Sequence, residues 1–154
     1  MLSIKLVCVG GVKEKFFKDA QEEYVKRLSK FCKISVVEVK TAPTIGLTES
    51  KQIEVECENL KTALSGSVVC FDRRGTEVCS EDIAKMLNDF AVNGISEISF
   101  VIGGSYGLTK QFLSSAKQVI SFGKITLPHT LFRVVALEQI YRAFTILNGS
   151  TYHK

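Results

Sequence analysis

The sequence predicts an α/β fold with a mostly parallel sheet and helices on both faces. Short apolar segments that favour strands alternate along the chain with amphipathic segments that favour helices, a pattern typical of parallel sheets. One strand segment, residues 68–71, is apolar at every position, as expected for a strand that is covered on both faces. We find no internal repeat and no low-complexity stretch, so the prediction is one domain over residues 1–154.

The predicted strands are runs of apolar or β-branched residues bounded by glycines or polar residues: residues 4–9, 34–39, 68–71, 98–102 and 119–122. The predicted helices carry apolar residues at three-to-four spacing: residues 13–31, 48–64, 80–93, 109–116 and 131–147. Thr48, Ser80 and Thr109 are the expected N-caps, with Ser50 as an alternative for the second helix. Residues 72–75 predict a turn that ends the third strand, and residues 125–127 an extended piece.

Composition excludes several classes of protein. With 154 residues, 45% of them hydrophobic, the chain is long enough to bury a core. No apolar run reaches the length of a membrane span, and the first ten residues predict a strand rather than a signal peptide. Five cysteines without C-x-x-C spacing, and two histidines without nearby cysteines, predict reduced thiols and no metal site. We therefore expect a cytoplasmic protein.

Three strand ends predict a ligand site. Ligands of parallel sheets bind beyond the carboxyl ends of the strands, and here these ends are residues 71–72, 102–103 and the loop 123–128. The glycine loop, residues 103–108, follows the fourth strand directly, and its glycines let a ligand approach the backbone and its N–H groups. We expect the glycine loop and the loop 123–128 to form one cofactor pocket.

Common catalytic fingerprints are absent from the sequence. The glycine loop does not match G-x-G-x-x-G, and there is no G-K-[ST], G-x-S-x-G or H-E-x-x-H motif. A nucleotide-dependent oxidoreductase is therefore disfavoured. A Ser-His-Asp triad stays open on residue types alone, although no spacing recommends it.

Positive charge is concentrated in the last third of the chain. Residues 103–154 hold six basic residues against one acidic residue, Glu138, whereas residues 1–102 hold 14 basic and 15 acidic residues. Such an excess favours a polyanionic partner such as a nucleic acid. The alternative is a solvated basic face with no partner.

Several motifs together resemble a known family. They are V-I-G-G-S-Y-G-L at residues 101–108, I-T-L-P-H at residues 125–129, Arg133, E-Q-I-Y-R-A at residues 138–143 and the ending Y-H-K at residues 152–154. On these residues the chain is similar to the large-subunit ribosomal RNA pseudouridine N3-methyltransferases. That family belongs to the SPOUT class of trefoil-knotted methyltransferases, and the resemblance covers nearly the whole chain.

The resemblance implies a fold and an activity. The fold would be an α/β knot with a deep C-terminal trefoil knot, in a homodimer. The activity would be transfer of a methyl group from S-adenosylmethionine to N3 of a pseudouridine in 23S rRNA, in a subunit-interface stem-loop of the assembled ribosome. The alternative is a non-catalytic ribosome-binding or assembly factor that keeps the fold.

The resemblance and the residue chemistry together give a set of candidate site residues. The expected cofactor-binding residues are Phe71, Gly103, Phe122, Gly123, Lys124, Ile125, Thr126 and Leu127. The expected substrate-side catalytic residues are Tyr152, His153 and Arg142, and the expected RNA-binding residues are Arg133, His129 and Lys154. Plain core packing is the alternative for Phe71 and Leu127, a turn residue is the alternative for His129, and an ordinary i, i+4 salt bridge with Glu138 is the alternative for Arg142.

Overall fold

A computed structural model of the protein describes residues 1–153. The five strands are β1 (Ser3–Val9), β2 (Lys33–Val39), β3 (Ser67–Glu77), β4 (Glu97–Ile102) and β5 (Gln118–Ser121). The five helices are α1 (Lys15–Leu28), α2 (Glu49–Lys61), α3 (Ser80–Val92), α4 (Lys110–Ser115) and α5 (His129–Leu147). The strands form one sheet in the order β2-β1-β4-β3-β5, and all four neighbouring pairs are parallel. The predicted α/β class is confirmed.

Helices cover both faces of the sheet. Side chains from α1, α3 and α5 pack with Phe100 of β4 on one face, and side chains from α2 and α4 pack with Val101 on the other. Successive residues of a strand point to opposite faces, so the buried run Ile98–Ile102, which is apolar except for Ser99, suits a strand between two helical layers. This central position places the glycine loop in the middle of the carboxyl edge of the sheet.

The third strand is longer than the sequence predicts. Residues 72–75 do not end β3. They form an irregular excursion between Phe71 and Thr76, both of which pair with Ile120 of β5. The predicted turn residue Gly75 lies so close to β5 that an added Cβ would be 2.6 Å from the Val119 backbone. Glycine at this position therefore allows the two strands to pack closely. The excursion places polar residues over the strand ends.

Two of the three predicted N-caps are confirmed. The hydroxyl oxygens of Thr48 and Thr109 accept hydrogen bonds from the backbone N–H groups of Lys51 and Phe112. The prediction of Ser80 is wrong by one residue, because Cys79 occupies the N-cap position and donates its backbone N–H to Asp82 at 2.9 Å. Within residues 1–153, no helix is long and apolar enough to cross a membrane.

Candidate active site

The three predicted strand ends meet at one cleft of about 700 Å³. Its walls are formed by residues 71–74 of β3, residues 102–108 after β4, residues 120–123 and 125–127 around the end of β5, and the first turns of α5. The expectation that the glycine loop and the loop 123–128 form one pocket is therefore confirmed in geometry. The volume is within the range of small-molecule sites, which is about 300–1,000 Å³.

An aromatic cluster forms the apolar wall of the cleft. The ring of Phe71 lies 5.2 Å from the rings of Phe122 and Phe132 and 5.7 Å from that of Phe100, measured between centroids. Phe71 is only 7% exposed, so it contributes to the core and to the cleft at once. Ile125, in contrast, is 74% exposed and lies at the mouth.

The glycine loop is a tight hairpin whose backbone depends on glycine at two positions. Gly107 donates its N–H to the carbonyl of Gly104 at 3.0 Å, and Gly107 has a φ of +84°, which side chains rarely tolerate. A Cβ on Gly104 would lie 2.5 Å from Oε1 of Glu56, a buried carboxylate on α2. The loop therefore presents bare backbone to the cleft, as its composition predicts.

A bidentate ion pair ties this loop to β3. Arg74 donates from Nε and Nη2 to the two carboxylate oxygens of Asp72 at 2.8 and 2.9 Å, and Nη2 also donates to the carbonyl of Leu108 at 2.8 Å. Burial alone raises the pKa of Asp72, but the hydrogen bonds and charge of Arg74 outweigh it and lower the pKa below its ordinary value. Asp72 thus stays ionised inside the cleft at neutral pH.

The loop after β5 turns sharply and leads directly into α5. The hydroxyl of Ser121 accepts from the N–H of Gly123 at 3.1 Å and lies 3.2 Å from the Gly123 carbonyl, to which it donates. Pro128 is the N-cap of α5, and the half-buried His129 is its first residue and lines the cleft. Lys124 is exposed and, unlike its neighbours Gly123 and Ile125, does not line the cleft.

The tail residues form a second polar cluster on the side of α5. Tyr152 Oη lies 3.3 Å from Glu138 Oε1, and Arg142 donates to the same oxygen from Nε at 3.0 Å and from Nη2 at 2.6 Å. His153 lies between Arg142 and Glu81, with ring-nitrogen distances of 3.4 and 2.8 Å. The structure thus brings the three predicted catalytic residues together.

Tyr152 is suited to donate a hydrogen bond to a ligand rather than to act as a general base. Burial, followed by Tyr24 and Glu138, raises the pKa of Tyr152, so its phenol remains a hydrogen-bond donor at neutral pH. The guanidinium of Arg142 lies 4.8 Å from the centre of the Tyr152 ring and orders the tail against the helix.

Within one chain the tail cluster and the cleft are separate. The residues of α5 that line the cleft are His129, Phe132 and Val135, and none of Glu138, Arg142, Tyr152 and His153 lines it. The structure therefore does not bring the predicted cofactor residues and the predicted catalytic residues into one site of a single chain.

The prediction that Arg133 binds RNA is wrong. Arg133 is 0% exposed and donates to Glu38 Oε2 at 2.8 Å and to the carbonyls of Val9 and Gly10 at 3.1 and 2.5 Å. Its charge holds the first turns of α5 to the ends of β1 and β2, so the positive excess of the last third is partly internal. Lys154, the third predicted RNA contact, lies outside the described residues.

Sequence reasoning missed two parts of the cleft. Phe132 closes the aromatic wall, but its position on an apolar helix gave no signal that separates a cleft residue from a core residue. The predicted turn at residues 72–75 contains both Asp72 and Arg74. An acidic and a basic residue two positions apart beside a strand end could have indicated the local ion pair that they form.

The fold and the cleft define a class of enzyme that comparison with known proteins identifies. The model of the family described as "Predicted SPOUT methyltransferase" matches residues 2–153. The chain belongs to the SPOUT methyltransferase family, and it is a methyltransferase. The resemblance stated from the motifs, and the knotted α/β fold that it implies, are confirmed.

Relatives match over their full length. The chain is 45% identical to the "Ribosomal RNA large subunit methyltransferase H" of Clostridium botulinum (strain Kyoto / Type A2), covering 99% of this chain and 100% of that protein. It is 44% identical to the protein of the same name from Clostridium acetobutylicum, with the same coverage.

Solved structures agree with the fold. A probable methylase family protein from Haemophilus influenzae Rd KW20 aligns with a TM-score of 0.59 at 15% identity, covering 100% of this chain and 72% of that one. The tRNA (m1G37) methyltransferase from Aquifex aeolicus aligns with a TM-score of 0.52 at 15% identity, covering 99% of this chain and 73% of that one. At this identity the likeness extends to the fold alone.

Proposed function

We propose that the protein transfers a methyl group from S-adenosylmethionine to N3 of a pseudouridine in 23S rRNA, in a subunit-interface stem-loop of the assembled ribosome. The observation that carries the proposal is the convergence of three strand ends on one cleft with bare backbone on two sides and aromatic rings on a third. The names of the full-length relatives support rRNA as the substrate. A cytoplasmic location follows from that substrate.

The donor fits the cleft chemically. Its adenine needs a flat apolar surface with backbone partners, which Phe71, Leu127 and the cleft-lining residues 122, 123, 125 and 126 would provide, and the glycine loop would accept the ribose and chain at close range. When bound, the donor supplies an electrophilic methyl group on a sulfonium.

The acceptor explains the tail cluster. N3 of pseudouridine lies between two carbonyls, and its proton must leave before or as the methyl group arrives. Negative charge then develops on the flanking oxygens, where the guanidinium of Arg142 and the phenol of Tyr152 would stabilise it. His153 would take the proton or bind the base edge.

A homodimer reconciles the two sites. Because no residue of the tail cluster lines the cleft of its own chain, the tail of one copy would act at the cleft of the other. Two half-buried apolar residues of α5 that do not line the cleft (Leu131 and Val134) give the helix a surface on which a second copy would pack.

The experiment is methyl transfer to ribosomes from a strain that lacks the gene. Purified protein and labelled S-adenosylmethionine should add one methyl group to one pseudouridine of 23S rRNA, located by mass spectrometry. His153→Ala should lower kcat at least tenfold, and Tyr152→Phe should do so less, since proton transfer is worth about 10² to 10⁴-fold. Lys33→Gln, at the opposite edge of the sheet, is the control. Unchanged transfer in both tail variants would refute the tail assignment.

Calorimetry with S-adenosylmethionine alone separates the enzyme from the alternative of a ribosome-binding factor. The enzyme should bind the donor with measurable heat, whereas a factor without catalysis should show none. Ribosomes that gain a methyl group at a site other than a pseudouridine would overturn the proposed substrate.

A further inference from the structure

Three exposed residues lie in or directly beside the segments that form the cleft. Tyr106 at the tip of the glycine loop is 51% exposed, and both Arg73 on the β3 excursion and Lys124 on the loop after β5 are exposed. Arg73 and Tyr106 line the cleft, Lys124 lies between the cleft-lining residues Gly123 and Ile125, and we refer to the three as the rim. A substrate that enters the cleft must pass them.

The backbone holds Tyr106 in a fixed position. The pairing of Gly104 with Gly107 closes the hairpin beneath it, and Arg74 binds the carbonyl of Leu108 just after it. A half-exposed aromatic ring on a rigid hairpin gains little from core packing, but it offers a face to a planar group at small entropic cost.

The rim carries positive charge that the protein does not neutralise. Asp72 is the one acidic residue among the cleft-lining residues that the structure describes, and Arg74 already engages both of its oxygens. Across residues 1–153, neither Arg73 nor Lys124 has an ion-pair or side-chain hydrogen-bond partner. Two cations beside an exposed ring form a surface that suits a nucleic acid strand.

We propose that the rim binds the nucleotide next to the methylated base, with Tyr106 stacked on that base and with Arg73 and Lys124 at adjacent phosphates. This inference rests on the proposed function. To reach the cleft, the target base must leave its stack, which frees one face of its neighbour. RNA-binding proteins recognise such unstacked bases on aromatic side chains and contact the strand with cations.

Kinetics with ribosomes from the deletion strain test the stacking. Tyr106→Ala should raise KM for ribosomes about tenfold, within the range of one base–aromatic stack, while Tyr106→Phe keeps the wild-type KM. Affinity for S-adenosylmethionine, measured by calorimetry, should change in Tyr106→Ala by much less than the KM for ribosomes, because the Tyr106 side chain is 51% exposed. A wild-type KM in Tyr106→Ala would overturn the stacking.

Salt titration tests the two cations. In ribosome binding, Arg73→Gln and Lys124→Gln should each reduce the slope of log affinity against log salt by about 0.7, the value for one phosphate of a single strand. Lys33→Gln should not change the slope, because this exposed lysine begins β2 at the opposite edge of the sheet. Unchanged slopes in both rim variants would overturn the phosphate contacts.

Failure of the rim and failure of the proposed function give different results. If wild-type protein transfers no methyl group to ribosomes, the proposed function itself is wrong. If the wild type is active and the rim variants lose affinity for S-adenosylmethionine in parallel with activity, the rim belongs to the cofactor site and the RNA assignment is wrong.

Discussion

Arg133 gives a direct test of the internal architecture of the site. It is fully buried, and its guanidinium links α5 to Glu38 of β2 and to the carbonyls of Val9 and Gly10. In Arg133→Met, a side chain of similar length fills the space but donates no hydrogen bonds. Two backbone carbonyls then lose their partner in the interior, and each such loss costs about 1–3 kcal/mol.

We expect the free energy of unfolding to fall by about 3 kcal/mol in Arg133→Met. Glu38 adds less, since its side chain is 44% exposed and can be hydrated when the arginine is removed. Glu38→Gln should therefore cost only about 1 kcal/mol. The two losses should not add, because the residues share one hydrogen-bonded pair.

Urea unfolding measures these losses, with all variants compared at the same protein concentration. Lys117→Met, an exposed cation on the same third of the chain, is the matched control and should change stability by less than about 0.5 kcal/mol. If Arg133→Met keeps wild-type stability but shows a shallower salt dependence of ribosome binding, Arg133 is a surface contact and the reasoning is wrong.

Three further predictions concern the cleft and the core. Gly107→Ala should weaken binding of S-adenosylmethionine, because a side chain is strained at the φ of +84° of residue 107 and would distort the cleft wall. The control is Gly94→Ala, which has a φ of +75° far from the cleft and should lower the free energy of unfolding alone. The pKa of Asp72 is lowered in the folded protein, so this carboxylate stabilises the fold fully above its unfolded pKa of about 4. The stabilisation is lost as the pH falls through the folded pKa. Asp72→Asn should therefore flatten the acid side of a curve of unfolding free energy against pH. Iodoacetamide should alkylate Cys79 alone in the folded protein, because the other four cysteines are buried. Burial raises the pKa of Cys8 to about 12, so early modification of Cys8 in mass spectrometry would contradict the core packing.

Periodicity and glycine placement were sufficient for the elements that carry the cleft. The apolar run before Gly103 predicts a central strand, and parallel strands place their carboxyl ends at one edge, so the convergence of the loops follows from the sequence alone. The caps at Thr48 and Thr109 follow from local hydrogen bonding in the same way.

The burial of Arg133 is indicated by its position in the helical pattern, although its residue type favours an exposed position. Residues 133, 137, 140 and 144 are spaced by four, three and four, which places the arginine on the buried face of α5. A charged residue is rarely fully buried without a partner, and its partner Glu38 lies 95 residues away in sequence. A single sequence does not reveal such a pairing.

The length of β3 and the separation of the two sites are not predictable from the sequence, because both depend on contacts between distant parts of the chain. Residues 72–75 have the composition of a turn, and only the pairing of Thr76 with Ile120 on the neighbouring strand returns the chain to the sheet. The distance between the tail cluster and the cleft depends on where the chain returns after α5, a tertiary contact of Tyr152 with Tyr141 at 5.0 Å.

Hydrogen–deuterium exchange with and without S-adenosylmethionine tests the central claim most directly. We predict slower exchange in three segments at once, which are residues 71–74, the glycine loop and residues 122–127, with little change elsewhere in the chain. Protection confined to other segments, for example the open cavity beside Gly10, Gly11 and Thr41, would place the donor at a different edge and contradict the account.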